Sequence, residues 1–254
     1  MIVRHLLKST AFSEWWRFLG TVLVSAMRLP AGLSTAGSGP AIVGLATFGA
    51  TAGPLVDAVH NQALLTYDFL PLSLGPVQTS WLVPPLLAVA YVLLGLVFPA
   101  VSDSIFGVGR IALDNRPLLQ PRQRAGLAVL STLAIIKTSE VLVSSTLSTS
   151  SSVALLCAAC AAQWVLLDGS YSSLALSLLA AWGGPLAELP LLKAGCWHYL
   201  APDYFPLDGI GQLGPGSWAG LNSITAPCYA AVTNDAIALG RWLSVCKEEN
   251  DQMG

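Results

Sequence analysis

The stretch 78-QTSWLVPPLLAVAYVLLGLVFPAVSD-103 decides the fold class of this chain. Residues 81–101 carry no charged side chain, and a helix of that length extends about 31 Å at about 1.5 Å per residue, which matches the hydrocarbon core of a bilayer. Trp81 stands at the start, where an amphipathic ring favours the headgroup zone. Pro84 and Pro85 fall in the first turn, where a missing N–H removes no intrahelical bond. The pattern predicts a membrane-spanning helix.

The composition extends this prediction to the whole chain. Of the 254 residues, 54% are apolar and only 10% are charged, and the mean hydropathy is +0.65. A soluble domain usually carries about 25% charged residues, so a soluble globule of this size would lack charged surface. The net charge of −2 gives no reason to expect a nucleic-acid partner. The five cysteines are scattered and do not form a disulfide framework.

We predict an all-α, polytopic membrane protein with a bundle of six transmembrane helices. The predicted spans lie at about 41–60, 81–101, 125–146, 153–167, 174–192 and 221–244. We expect Pro54 to interrupt the first span and Pro99 to help end the second. Gly183-Gly184-Pro185 is a further place where a helix break is expected if the chain is a carrier.

The basic residues give the predicted orientation. With six spans, ten of the twelve lysines and arginines fall on one side of the membrane, and the positive-inside rule then places both termini in the cytosol. The domains follow as a basic N-terminal segment with a linker (1–40), a membrane domain (41–244) and a cytosolic tail (245–254). Residues 12–27 fit either an interfacial helix or a targeting sequence.

Two loops are predicted on the opposite side. The Ser/Thr cluster 144-SSTLSTSSS-152 is typical of a turn. The longer loop at about 193–220 is rich in aromatic residues, which suit a segment resting on the membrane interface. Its glycines and prolines after Leu207 argue against a helix there.

Charged side chains inside predicted spans are candidate functional residues, because a charge at membrane depth is costly. They are Asp57, Lys137, Glu140, Glu188 and Asp235. Lys137 and Glu140 stand at i, i+3 and are expected to pair on one helix face, with a ligand or proton role as the alternative. The three histidines have no metal-site spacing, and no phosphate-binding loop is present. We therefore predict no enzymatic activity, no metal and no cofactor.

Four short motifs, taken in order, resemble the insulin-induced gene (Insig) family of sterol-regulated membrane proteins. The motifs are 80-SWLVPP-85, 164-WVLLDGSYS-172, 199-YLAPDYF-205, and 227-PC-228 followed by 240-GRWL-243. With the six predicted spans, the resemblance covers about residues 41–244. It implies a multi-pass protein of the endoplasmic reticulum that is not catalytic and binds a hydroxylated sterol in its helix bundle.

The resemblance also implies partners and sites. Such proteins retain a sterol-sensing-domain escort protein and help deliver the sterol-synthesis reductase to degradation. Their partner-binding aspartate matches Asp168, for which a helix cap is the alternative role. The family has two arginines where this chain has Gly169 and Tyr171, a departure at the same site. The sterol or oxysterol-like lipid is expected near Trp81, Pro84, Pro85, Pro227 and Cys228.

Two other hypotheses remain open from the sequence. One is a small-solute membrane carrier that uses Asp57, Lys137, Glu140 or Asp235. The other is an assembly factor of a mitochondrial or plastid membrane, since the first 40 residues have no counterpart in the family. Under the leading hypothesis the partners are membrane lipid and other membrane proteins, without nucleic acid.

Overall fold

The computed structural model describes residues 39–75, 77–106, 119–206 and 220–253. The predictions for the N-terminal segment up to residue 38, and for the glycine-rich part of the long loop at 207–219, lie outside the described residues. All structural statements below concern the described ranges.

The described chain is mostly helical. Its helices are α1 (Gly39–Asn61), α2 (Val83–Val92), α3 (Phe98–Phe106), α4 (Pro121–Val143), α5 (Thr149–Leu167), α6 (Tyr171–Lys193) and α7 (Thr225–Met253). A π-helical segment, Leu93–Val97, joins α2 and α3 into one continuous helix. Five helical stretches are long and apolar enough to cross a membrane: Gly39–Asn61, Val83–Ile105, Pro121–Val143, Thr149–Leu167 and Tyr171–Lys193. The prediction of an all-α membrane protein is confirmed at this level.

The prolines at the start of α2 lie where the sequence placed them, in the first turn. The expected breaks at Pro54 and at Gly183-Gly184-Pro185 were wrong, because α1 and α6 continue through them. Proline leaves one carbonyl without its intrahelical partner, and neighbouring helices and local adjustments compensate for this in membrane helices.

The prediction that Pro99 helps end its helix was also wrong, since α3 continues to Phe106. The π-helical segment ends at Val97, with Phe98 between it and this proline, and the N–H of Phe98 donates to the carbonyl oxygen of Leu93. This i→i−5 pattern is a local rearrangement of the hydrogen-bond ladder that accommodates a helix irregularity. The proline therefore accompanies a local change in pitch and does not stop the helix.

Two short antiparallel ladders, which the sequence did not predict, close one end of the bundle. Strand β1 (Leu65–Tyr67) pairs with β4 (Trp197–Tyr199), and β2 (Pro71–Leu74) pairs with β3 (Val77–Ser80). We call this the ladder end and the opposite end, which carries Arg241, the basic end. The expectation that the aromatic loop rests on the membrane interface was wrong for Trp197 and Tyr199, which are only 6% and 5% exposed.

Helix α7 occupies the centre of the bundle. It packs against α1, α4, α5, α6 and the π-helical segment, and nearly every residue from 224 to 240 is buried or half-buried. Its buried side chains include the polar Thr233, Asn234 and Asp235. The Ser177 hydroxyl on α6 donates to Asn234 Oδ1 at 2.7 Å. Because its neighbours are protein, α7 carries polar side chains that a lipid-facing helix would expose at a high cost.

The backbones of α7 and the π-helical segment touch at two glycines. A Cβ on Gly240 would lie 1.9 Å from the carbonyl oxygen of Gly95, and a Cβ on Gly95 would lie 2.5 Å from the carbonyl oxygen of Ala236. Both distances are far below a van der Waals contact. Small residues allow helices to approach this closely in membranes, so the central position of α7 depends on this pair.

Gly240→Ala is expected to lower the free energy of unfolding by about 1–3 kcal/mol, because the added methyl group must push two backbones apart. Gly126→Ala on α4 is the control, since nothing lies within 4 Å of its added Cβ. Alanine should stabilise that exposed helical position by up to about 1 kcal/mol. Thermal unfolding in mild detergent measures both, and equal transition temperatures would contradict the close approach.

Candidate functional site

A cavity lies inside the bundle, in the half nearer the ladder end. Helices α1, α2, α6 and α7 surround it, strands β1 and β4 cover one end, and its volume is about 290 Å³. This volume is close to the lower end of the range for small-molecule sites, about 300–1,000 Å³. Leucine, valine and alanine side chains form much of the wall, so the cavity favours an apolar occupant.

The cavity opens sideways between α2 and α6. At the basic end these two walls meet, because α3 packs against α6 and the Ser102 hydroxyl donates to the carbonyl oxygen of Ser172 at 3.4 Å. Toward the ladder end, α2 makes at most marginal contact with α6. Ala187 on α6 lines the cavity and is exposed. The sparse contact is thus between two helical stretches that are long and apolar enough to cross a membrane.

A buried carboxylate, Glu188 on α6, connects three elements at the ladder end of the cavity. Its Oε2 accepts hydrogen bonds from Trp197 Nε1 at 3.1 Å and from the Tyr199 hydroxyl at 2.8 Å. Its Oε1 accepts from the Tyr229 hydroxyl on α7 at 2.5 Å. Glu188 is 9% exposed, and these donors replace the water that a carboxylate would otherwise bind.

A second carboxylate at this end is held by α1 and β1. The Tyr67 hydroxyl donates to Asp57 Oδ2 at 2.5 Å and accepts from Asn61 Nδ2 at 2.7 Å. The Tyr67 and Trp197 rings meet edge to face with centroids 6.1 Å apart. The two carboxylate networks therefore adjoin through the β1–β4 ladder.

Both strand tyrosines in these networks lie outside the spanning helices. Burial, followed by the charge of Asp57, holds the pKa of Tyr67 well above its usual value. Burial, followed by the charge of Glu188, does the same to the pKa of Tyr199. Both phenols therefore keep their protons near neutral pH and act as hydrogen-bond donors.

A histidine in the last turn of α1 faces the cavity. His60 Nδ1 lies 2.7 Å from the Ser139 hydroxyl on α4. The imidazole is 5% exposed and lines the cavity. Its other ring nitrogen, Nε2, has no hydrogen-bond partner among the described residues.

The residues predicted to bind lipid are only partly at this cavity. Cys228 lines it. Trp81, Pro84, Pro85 and Pro227 are not among the lining residues, and Trp81 is 61% exposed. Their neighbours Val83, Leu86 and Leu87 supply the α2 wall instead. That these four residues contact lipid stays a prediction, and it concerns surfaces outside the cavity.

The charged residues of the predicted spans do not share one site. Lys137 and Glu140 form the expected i, i+3 ion pair, with the Lys137 side chain 59% exposed. Asp235 Oδ2 accepts from the Tyr91 hydroxyl at 2.8 Å. Of the four residues assigned to a carrier, only Asp57 lines the cavity.

Asp168 lies at the basic end, where it takes the C-cap position of α5. It forms an ion pair with Arg241 of α7 and accepts a hydrogen bond from the Ser170 hydroxyl. The Arg241 guanidinium also lies 3.7 Å from Asp103 Oδ1. Because the Asp168 side chain is only 6% exposed, its carboxylate fixes the α5–α6 turn against α7.

The sequence reasoning singled out Glu188 but missed its donors, and it assigned no role to His60. The sequence did contain a chemical signal for the donors to Glu188. A carboxylate expected inside a membrane helix needs hydrogen-bond donors, and the next loop begins with Trp197 and Tyr199. Within the described ranges, no cluster of three or more histidine, cysteine or acidic side chains is placed to hold a metal ion.

The fold and the cavity define a class: a helical multi-pass membrane protein with an apolar interior cavity. No family model and no curated protein matches the chain. Its fold is similar to that of a cross-linked MvINS trimer in a crystal structure at 1.9 Å, with a TM-score of 0.59 and 22% sequence identity. The match covers 82% of this chain and 95% of that chain. At this identity, the similarity concerns the fold alone.

Glu188→Ala is expected to lower the free energy of unfolding by about 3–5 kcal/mol, because it leaves three donors without their acceptor. Glu188→Gln is the matched control. Its amide keeps an oxygen for Trp197 and Tyr199, so it should lose less stability. Thermal unfolding in detergent shows which variant loses more stability. An alanine variant as stable as the glutamine variant would contradict the network.

Proposed function

We propose that this protein is a noncatalytic, sterol-responsive regulator of the endoplasmic reticulum membrane that binds a hydroxylated sterol in the cavity. The observation that carries the proposal is the shape and polarity of this site. Its walls are apolar, the two spanning helices α2 and α6 make little contact on one side of it, and its polar groups gather at the ladder end. An amphiphile with a large apolar body and a small polar head fits such a site.

The resemblance to the Insig family supports the proposal, because three of its four motifs contribute residues to the cavity. The Trp-x-Val-Pro-Pro motif supplies Val83, the Tyr-x-x-Pro-Asp motif begins with Tyr199, and the Pro-Cys motif supplies Cys228. These motifs are far apart in the sequence. Their meeting around one cavity is what a common ligand site would require.

The proposed topology has six spans with both termini in the cytosol, and α7 is the sixth span. Its 29 residues extend about 43 Å, longer than the hydrocarbon core. The helices alternate in direction, so Arg124 near the start of α4 and Arg241 on α7 lie at the same end. The positive-inside rule assigns that end to the cytosol.

The geometry favours this function over a solute carrier. A carrier needs its charged residues along one path, whereas the Lys137–Glu140 pair is outside the cavity and Asp235 is engaged by Tyr91. The carboxylate of Glu188 is likewise occupied by donors from the protein. These carboxylates hold the fold together, which fits a binding protein without catalysis.

A diazirine-bearing oxysterol is expected to label residues of the cavity in native membranes. Ala187→Trp should lower this labelling at least about tenfold, because the indole occupies the opening between α2 and α6. Leu178→Trp is the control on the same helix, since Leu178 is 63% exposed and does not line the cavity. Mass spectrometry maps the label, and labelling that is indifferent to Ala187→Trp would contradict the site.

We further propose that the basic end binds sterol-sensing membrane proteins, with Asp168 as the residue that shapes this surface. Because Asp168 fixes the α5–α6 turn against α7 through Arg241, its loss would change the surface around it.

Asp168→Ala is expected to abolish co-purification of such a partner in mild detergent. Asp203→Ala is the matched control at the ladder end, where Asp203 accepts from the backbone N–H of Ser223 at 2.7 Å. The control should leave partner recovery unchanged. Equal recovery with both variants would exclude this role for Asp168.

A further inference from the structure

The hydrogen bonds around His60 determine which of its ring nitrogens carries the proton. The Ser139 oxygen lies 2.6 Å from the carbonyl oxygen of Ile136 and 2.7 Å from His60 Nδ1. A carbonyl oxygen can only accept, so the single hydroxyl hydrogen of Ser139 belongs to that contact. Ser139 must then accept from the ring, and we assign the proton to His60 Nδ1.

This assignment makes Nε2 an acceptor whose lone pair faces the cavity. The ring is 5% exposed, and the described residues provide no ion pair for it. A charged imidazolium without a counter-ion would be costly at this depth, so the neutral form is favoured. The same described residues provide no donor to Nε2. A buried acceptor without a donor weakens the site unless a bound molecule supplies one.

The remaining polar groups at this end already have partners. Glu188 accepts three hydrogen bonds, and Asp57 accepts from Tyr67. Among the described lining residues, His60 Nε2 is the buried polar side-chain atom without a partner. An ammonium head would bring three donors, and a ketone or ether would bring none. A single hydroxyl supplies the one donor that the cavity lacks.

We propose that His60 Nε2 accepts a hydrogen bond from the hydroxyl group of the bound lipid and thereby selects a lipid alcohol over the matching ether or ketone. This inference rests on the proposed function, since it assigns the head-group contact of the same cavity. The head of the lipid then lies beside the last turn of α1. Its apolar body extends along α2 and α7 toward Leu93 and Val232, which also line the cavity.

The experiment uses the full chain in native membranes with three photoreactive sterols of the same skeleton. One carries a single hydroxyl, one the methyl ether in its place, and one the ketone. The wild-type protein is expected to prefer the alcohol by about tenfold over either of the others, the effect of one donor lost at a buried acceptor. This comparison needs no variant and is independent of any folding defect.

Three variants test the residue itself. His60→Asn keeps a donor for Ser139 and removes the acceptor, so it should bind all three sterols equally, at the level of the ether. His60→Gln places an amide oxygen near the position of Nε2 and should retain part of the preference. Leu178→Ala is the control, because Leu178 is 63% exposed and does not line the cavity. It should keep the full preference.

The outcomes separate this inference from the proposed function. Equal labelling of the wild-type cavity by alcohol, ether and ketone would overturn the role of His60 while the lipid site stands. A preference for the alcohol that survives His60→Asn would also overturn it. Absence of cavity labelling by any of the sterols would overturn the proposed function together with this inference.

Discussion

The backbone contact between Gly95 and Gly240 determines how closely α7 approaches the π-helical segment that adjoins the cavity. At this level the carbonyl oxygen of Gly95 lies where a Cβ atom on residue 240 of α7 would stand. Nearer the ladder end, Leu93 of the π-helical segment, Tyr91 of α2 and Val232 of α7 line the cavity. The same pair of elements therefore makes a close backbone contact at one level and part of the cavity wall at another. A side chain at either glycine would move α7 and change the cavity as well as the stability.

The second constraint is that most polar groups inside the bundle find partners within the protein, since lipid supplies none. The side-chain amide of Gln163 on α5 donates to the Thr132 hydroxyl on α4 at 2.7 Å, and the side-chain amide of Asn234 on α7 donates to Gln163 Oε1 at 3.2 Å. Such bonds connect the helices without exposing a polar group to lipid. They also explain why hydropathy identifies the outer helices as membrane spans more clearly than it identifies α7, whose neighbours on most sides are protein.

The sequence predicted those features that depend on local chemistry. An uncharged helix with Pro84 and Pro85 in its first turn is recognisable because both signals lie within one stretch, and so is the pairing of Lys137 with Glu140. The effects of Pro54 and Pro99 were mispredicted because rules for helices in water overstate the cost of proline where neighbouring helices compensate. The β1–β4 ladder was missed because three-residue strands have no alternation to detect. The cavity residues come from segments far apart in the chain, and only the fold brings them together.

The cavity and the basic end lie on different halves of the bundle, so any influence of lipid on a partner needs a connecting element. Helix α7 meets both, with Cys228 and Val232 in the cavity wall and Arg241 in the ion pair with Asp168. A bound lipid can shift this helix only by the difference between its affinities for two positions. A tenfold difference corresponds to about 1.4 kcal/mol. Displacing α7 far would break the glycine contact and the ion pair together. Small rotations or tilts of α7, which keep both, are therefore the movements through which a lipid would act on the basic end.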